Sequence, residues 1–275
     1  MSLAEDEDKK LKSKTPQYVV GSGWWSTEES NTVVNPKRKN LGDPFIRSVD
    51  FFDHWLSSVR RNSAPQSIIV VDSNSPQKPS LDRREGVQWV SLPFNAMHST
   101  DHVGVWCGWT RSVIVSATYA MAADCEYFVY VEQDCLLKGD GIIEACVSQM
   151  KTGVMFGCGN GTPQPIQQSL FVISTKRLPR FVSNLCSIKL RDCDLSPEWK
   201  FLCATWRPFV FVANLGLFKH KRVRKLVYRL AKNRLFEFLP FGVGRNRPIP
   251  FEKEMYYFQH GSLEEVHRYL KECIE

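Results

Sequence analysis

The chain has 275 residues, 43% of them hydrophobic, and a net charge of +7 from 36 Lys and Arg against 29 Asp and Glu. That apolar share excludes a disordered chain, and the length suits one large α/β domain or two small ones. Nine cysteines, odd in number and without a CxxC pair, argue against a disulfide framework or a zinc site and for reduced thiols in a cytoplasmic protein.

Residues 1–14, MSLAEDEDKKLKSK, read as a charged, disordered tail with no apolar signal region, and 15–275 as one domain. No apolar run approaches the roughly 18 residues of a membrane span. Gln17–Val20 is a short strand, broken by Gly21-Ser22-Gly23, where backbone can approach a ligand closely. Trp24 and Trp25 stand at that edge, and Thr27–Pro44 is a polar loop. Phe45–Arg61 carries apolar residues at helical spacing. Ser67–Asp72 (SIIVVD) is a buried strand ending in an acid, and Val87–Leu92 is a third strand. His98, Asp101 and His102 fall in a polar loop with no helix to align them as metal ligands. Thr110–Ala123 has a helical pattern, with Arg111 near its start.

Tyr127–Val131 (YFVYV) is a continuous apolar run suited to a strand buried on both faces of a parallel sheet. It ends in Glu132-Gln133-Asp134. Ligand sites of open α/β sheets lie beyond the carboxyl ends of the strands. Two carboxylates there can hold a hard divalent ion whose other positions go to substrate phosphates. Ile142–Met150 and Arg177–Leu190 read as helices, Ser169–Ser174 and Phe209–Leu217 as strands. SPEW opens a helix within Leu195–Trp206, with Glu198 in its first turn. Lys219–Arg234 holds eight Lys or Arg, no acid, and an apolar stripe, the pattern of a helix that meets a membrane surface or a polyanion. Phe241–Pro250 is an irregular loop bearing Arg245 and Arg247. A final strand runs into His260 before a closing helix, Leu263–Cys273. Strands alternating with helices predict an α/β fold around a mostly parallel sheet.

The run SIIVVDSNS, the later helix GWTRSVIVSATYAMAADC and the strand ending in EQD together resemble the nucleotide-sugar-dependent glycosyltransferases of the GT-A fold, closest to their inverting family 2-like group. The resemblance covers about residues 17–174 in element order. It implies a nucleotide pocket at Gly21, Ser22 and Asp72, with the acid against the nucleobase. It places Glu132, Gln133 and Asp134 at the DxD motif, with Glu in place of its first Asp. It further implies a divalent cofactor, Mn2+ or Mg2+, on Asp134, Glu132 and His260, and phosphate contacts from Arg111. Arg245 and Arg247 are suited to the same phosphates, since guanidinium matches their oxygens in a fork. Inverting transfer also needs a carboxylate base. Asp192, Asp194 and Glu198 are the candidates, with Glu198 favoured because a helix dipole favours its ionised form. The implied partners are a UDP- or GDP-sugar and a glycan or lipid-linked acceptor, with membrane contact through Lys219–Arg234 and no nucleic acid. Two rivals stand beside this: a sugar-phosphate nucleotidyltransferase, disfavoured because GSGWW has no Lys or Arg, and a non-enzymatic basic binding module.

Overall fold

A computed structural model describes residues 15–27, 41–102 and 104–273. The charged tail and most of the loop expected over Thr27–Pro44 lie outside the described residues. The strands are β1 (Tyr18–Trp24), β2 (Ser67–Asp72), β3 (Val87–Ser91), β4 (Tyr127–Val131), β5 (Cys135–Lys138), β6 (Val154–Cys158), β7 (Ile166–Ser174), β8 (Glu237–Phe238), β9 (Val243–Gly244) and β10 (Tyr256–Gln259). The helices are α1 (Phe51–Asn62), α2 (Gly108–Ala122), α3 (Ile142–Gln149), α4 (Leu178–Cys186), α5 (Pro197–Ala204), α6 (Arg207–Asn214), α7 (Lys221–Ala231) and α8 (Leu263–Cys273).

Among the described residues, seven strands form one sheet in the order β3-β2-β1-β4-β7-β6-β8. β1 to β4 are mutually parallel, and β7 runs antiparallel to both β4 and β6. The expected α/β architecture, a mainly parallel sheet flanked by helices, is therefore present. The central strands bury side chains on both faces because the sheet is covered twice. Val19, Ile69, Val71, Phe128, Tyr130 and Phe171 face α2 and α4 to α7. Their neighbours Val20, Ile68, Val70, Val129, Val131 and Leu170 face α1, α3, α8 and a second sheet. That small sheet, β5-β10-β9, grows directly from the chain that leaves β4.

Three expected elements are corrected. Phe45–Arg61 is not one helix: a short 3-10 turn, Pro44–Arg47, precedes α1, and its first amide is capped by Asp43. Phe209–Leu217 is not a strand but mostly α6, whose buried Phe209, Val210 and Ala213 recur at helical spacing. A short apolar run does not distinguish the two by itself. Gly21-Ser22-Gly23 does not break β1, which runs on through Trp24. A Cβ at Gly21 would lie 2.7 Å from both the Phe128 ring and the Ser116 side chain, so the glycine lets α2 settle onto the strand. Gly21→Ala should cost about 1–3 kcal/mol by overpacking, read as a lower denaturant midpoint with an unchanged slope.

Candidate active site

Because β1 to β4 are parallel, their carboxyl ends share one edge. Trp24, Asp72, Ser91 and Glu132 arrive there together. The chain then turns: Cys135 donates its amide to the Glu132 carbonyl, and β5 starts antiparallel to β10 with Cys135 opposite Gln259. This places the two acids after β4 against the chain that leaves β10, where Gln259 and His260 follow each other. Gly244, at the end of β9, delivers Arg245 to the same place.

Gln259 sits at the centre of the cluster. Its Nε2 donates to Glu132 Oε2 at 2.6 Å and to Asp134 Oδ1 at 3.1 Å, while its Oε1 accepts from Arg245 Nε at 3.3 Å. His260 Nε2 lies 3.3 Å from Asp134 Oδ2. Arg245 Nη2 approaches Glu198 Oε1 at 4.0 Å. Glu132 and Asp134 thus meet Glu198, Arg245 and His260 from three distant parts of the sequence. Gln259 was not expected from the sequence; a Gln inside YYFQHG offers only the faint signal of a polar residue in an apolar strand.

Burial sets the protonation states. The Glu132 carboxyl rises from 4.5 to about 8, first through desolvation and then through the charge of Asp134, with Arg245 opposing. Between pH 4.5 and about 8 the folded chain keeps a proton that the unfolded chain releases, so stability falls as pH rises through that window. Glu132→Gln, in the metal-free protein, should therefore melt higher near pH 8, by about 2–4 °C for each kcal/mol relieved. His260 moves down to about 4, chiefly by desolvation, with Asp134 pulling upward and Arg245, Arg47 and Arg247 pushing down. Its imidazole is therefore neutral near pH 7. The Glu198 carboxyl is raised, mainly by burial, with its own backbone and Arg245 opposing, so desolvation works against the helix dipole here.

The other sequence candidates fall elsewhere. Asp72 is fully buried: Oδ1 accepts from the amide and hydroxyl of Ser75, and Oδ2 meets Ser91 Oγ at 3.0 Å and Lys78 Nζ at 3.2 Å. It shapes the rim of the edge and presents no free oxygen. Gln133 clamps the Trp25 backbone, accepting its N–H at 2.7 Å and donating to its carbonyl at 3.0 Å. Gly21 and Ser22 are packed inside the sheet, and the Ser22 hydroxyl turns to the Gly23 carbonyl. Arg111 donates to the Trp106 carbonyl and lies over the Phe94 ring, holding the loop before α2. Arg247 donates to the carbonyls of Gly244, Asn246, Gln259 and His260 and pairs with Glu265 at 2.6 Å. It fixes the His260 backbone and is not a free phosphate clamp. Asp194 faces outward and pairs with Arg191. Asp192 is buried against Lys200 at 2.7 Å and accepts from the Cys107 amide and the Thr110 hydroxyl. That pair ties α5, which carries Glu198, to the loop before α2.

Among the described residues no group of three His, Cys, Asp or Glu side chains forms a closed metal site. The 3.3 Å between Asp134 Oδ2 and His260 Nε2 nonetheless approaches the separation of about 3 Å between adjacent donors of an octahedral ion with magnesium-like bond lengths. A neutral imidazole beside a carboxylate is the donor state such an ion requires. The pair therefore fits an open divalent site completed by ligands from outside the protein.

No protein-family model and no curated protein sequence matches the chain. Solved structures similar to the chain include S. aureus TarS 1–349 in complex with UDP, at 14% identity over 68% of this chain and 54% of that one, TM-score 0.41. The glycosyltransferase GlyE of Streptococcus pneumoniae matches at 12% over 82% of this chain and 46% of that one, TM-score 0.41. The inositol-1-phosphate CTP transferase of T. maritima matches at 12% over 60% and 74%, TM-score 0.37. The chain spans about half the length of TarS 1–349 and of GlyE. Likeness at this level says nothing about activity, which the side chains at the carboxyl edge must decide.

Proposed function

We propose that the chain is a metal-dependent glycosyltransferase that moves a sugar from a UDP- or GDP-sugar to a hydroxyl of a glycan or lipid-linked acceptor, with inversion. The observation that carries this is the convergence of Asp134, His260, Arg245 and Glu198 around Gln259 at the carboxyl edge of a parallel sheet. Asp134 and His260 hold a divalent ion, Mn2+ or Mg2+, which when bound neutralises charge on the departing diphosphate. Glu132, protonated in the metal-free chain near neutrality, would add negative charge beside them once a bound cation displaces that proton.

Arg245 supplies a fixed positive group on the side facing Glu198. Its guanidinium is oriented by Gln259, so little reorganisation accompanies the appearance of phosphate charge. Glu198 is the base that takes the acceptor hydroxyl's proton. Burial lifts its affinity for a proton toward the working pH, which suits a general base better than a fully solvated carboxylate. Gln259 keeps the two acids after β4 in place, and the Asp192–Lys200 pair keeps Glu198's helix in place.

Incubation with sugar nucleotides and Mn2+ tests the reading: release of UDP or GDP supports it. Pyrophosphate release from a nucleoside triphosphate and a sugar phosphate, without nucleoside diphosphate release from any sugar nucleotide, assigns nucleotidyl transfer instead.

A further inference from the structure

We propose that α6 and α7 form a docking surface for an anionic lipid bilayer. The inference does not depend on the transferase reading. It rests on two features of this layer: charge with nothing nearby in sequence to balance it, and apolar side chains turned away from the core.

Between Lys176 and Arg234 stand fifteen Lys and Arg and only three acids. All three acids are already committed: Asp192 to buried Lys200, Asp194 to Arg191, and Glu198 to the neighbourhood of Arg245. Without this segment the rest of the chain is net acidic, so the overall positive charge is concentrated in one stretch of the chain. A surface of that kind is drawn to anionic lipid head groups, each basic side chain adding to the attraction.

The apolar pattern selects a bilayer over other polyanions. In α6, Phe209, Val210 and Ala213 face the core, so Phe211 and Leu215, one turn apart, project from the opposite side. They are 66% and 56% exposed. In α7, Val227 and Ala231 are buried while Leu226 and Leu230, again one turn apart, remain exposed among Arg222, Lys225 and Arg229. The short connection between the two helices leaves Leu217 at the surface as well. A phosphate backbone gains little from covering Phe and Leu, whereas a bilayer interface buries such side chains while their basic neighbours meet the head groups. Beside the start of α6, a cavity of about 420 Å³ is lined by Arg180, Ser183, Trp206 and Arg207. Two guanidinium groups and a hydroxyl there suit a phosphate-bearing head group. Among the described residues no helix is long and apolar enough to cross a membrane, so the contact is peripheral. α5, which carries Glu198, is followed at once by α6, so the docking surface lies one helix along the chain from the candidate active site.

Co-sedimentation of the full chain with phosphatidylcholine vesicles, with and without phosphatidylserine, tests this. The chain should partition onto the phosphatidylserine vesicles only, and less so at high salt. A Phe211→Gln, Leu215→Gln double variant and a Lys225→Glu, Arg229→Glu double variant should each reduce partitioning by about tenfold or more. Both pairs are solvent-exposed, so each variant should melt like the parent and keep the parent's thermal response to sugar nucleotides, which separates this outcome from failure of the transferase reading. No partitioning onto anionic vesicles, partitioning unchanged in the glutamine variant, or binding to duplex RNA that the glutamine variant retains while vesicle binding is absent, would each overturn the proposal.

Discussion

Asp134→Asn should abolish manganese-dependent binding of the sugar nucleotide and lower kcat by roughly 10²–10³-fold, with a melting temperature at or above that of the parent, since loss of this charge also relieves Glu132. Asp134 Oδ2 is the oxygen that faces His260, and its other oxygen is occupied by Gln259. An amide at this position removes the anionic donor but keeps the volume, so Gln259, Arg245 and Glu198 have no reason to move. Calorimetric titration of Mn2+ with UDP into parent and variant reads the binding loss directly. Tight, metal-dependent binding in the variant would show that Asp134 is not a ligand. Donor binding in the parent that ignores chelation would remove the ion from the account. His260→Ala supplies the companion test, since the same weakening is expected from the second donor.

Glu198→Gln should lower kcat by about 10²–10⁴-fold, the usual share of a general base, and leave the KM for the donor near the parent value. The pH profile carries the sharper signature. Burial raises the Glu198 carboxyl above 4.5, so activity should climb as pH rises and this group loses its proton, with a midpoint above the ordinary carboxylate range. The variant should lose that limb. A variant with full activity, or one that loses donor affinity and keeps kcat, would demote Glu198 to a partner of Arg245 that merely positions the guanidinium.

Much of the frame was legible because burial leaves a plain mark on composition. SIIVVD and YFVYV are short, β-branched and aromatic, which suits strands covered on both faces, and both are such strands in the fold, with their acids at the carboxyl edge. The helix start at Ser196-Pro197 was legible, whereas the upward shift of the Glu198 carboxyl was not, because desolvation depends on what packs around α5. The role of Gly21 and Gly23 is hidden in the sequence for a related reason. A glycine that admits a ligand and one that admits a helix look alike in sequence, and only Ser112 and Ser116 of α2 decide between them. In sequence Arg247 suits phosphate as well as Arg245 does, because its commitments, four backbone carbonyls and Glu265, come from segments that meet only in the fold. Gln259 leaves little mark in the sequence because amides carry no charge pattern; its importance comes from standing between Glu132, Asp134 and Arg245.

The cluster also shows where stability has been given up. Two carboxylates share a poorly solvated position after β4, and Glu132 holds a proton near neutrality as a result. Relief by Gln at that position should stabilise the metal-free chain while weakening its hold on a cation, an opposition expected where function sets the charge.

The most direct measurement of the central claim is the melting temperature of the unmodified chain with UDP, GDP, UDP-sugars and GDP-sugars, each with Mn2+ and with a chelator. A ligand that binds only the folded state raises the melting point by mass action. The cluster at the carboxyl edge predicts a rise with at least one nucleoside diphosphate or its sugar, present with Mn2+ and lost with the chelator. No rise with any of them, or a rise that the chelator leaves intact, contradicts a cation held by Asp134 and His260 at a nucleotide-sugar site.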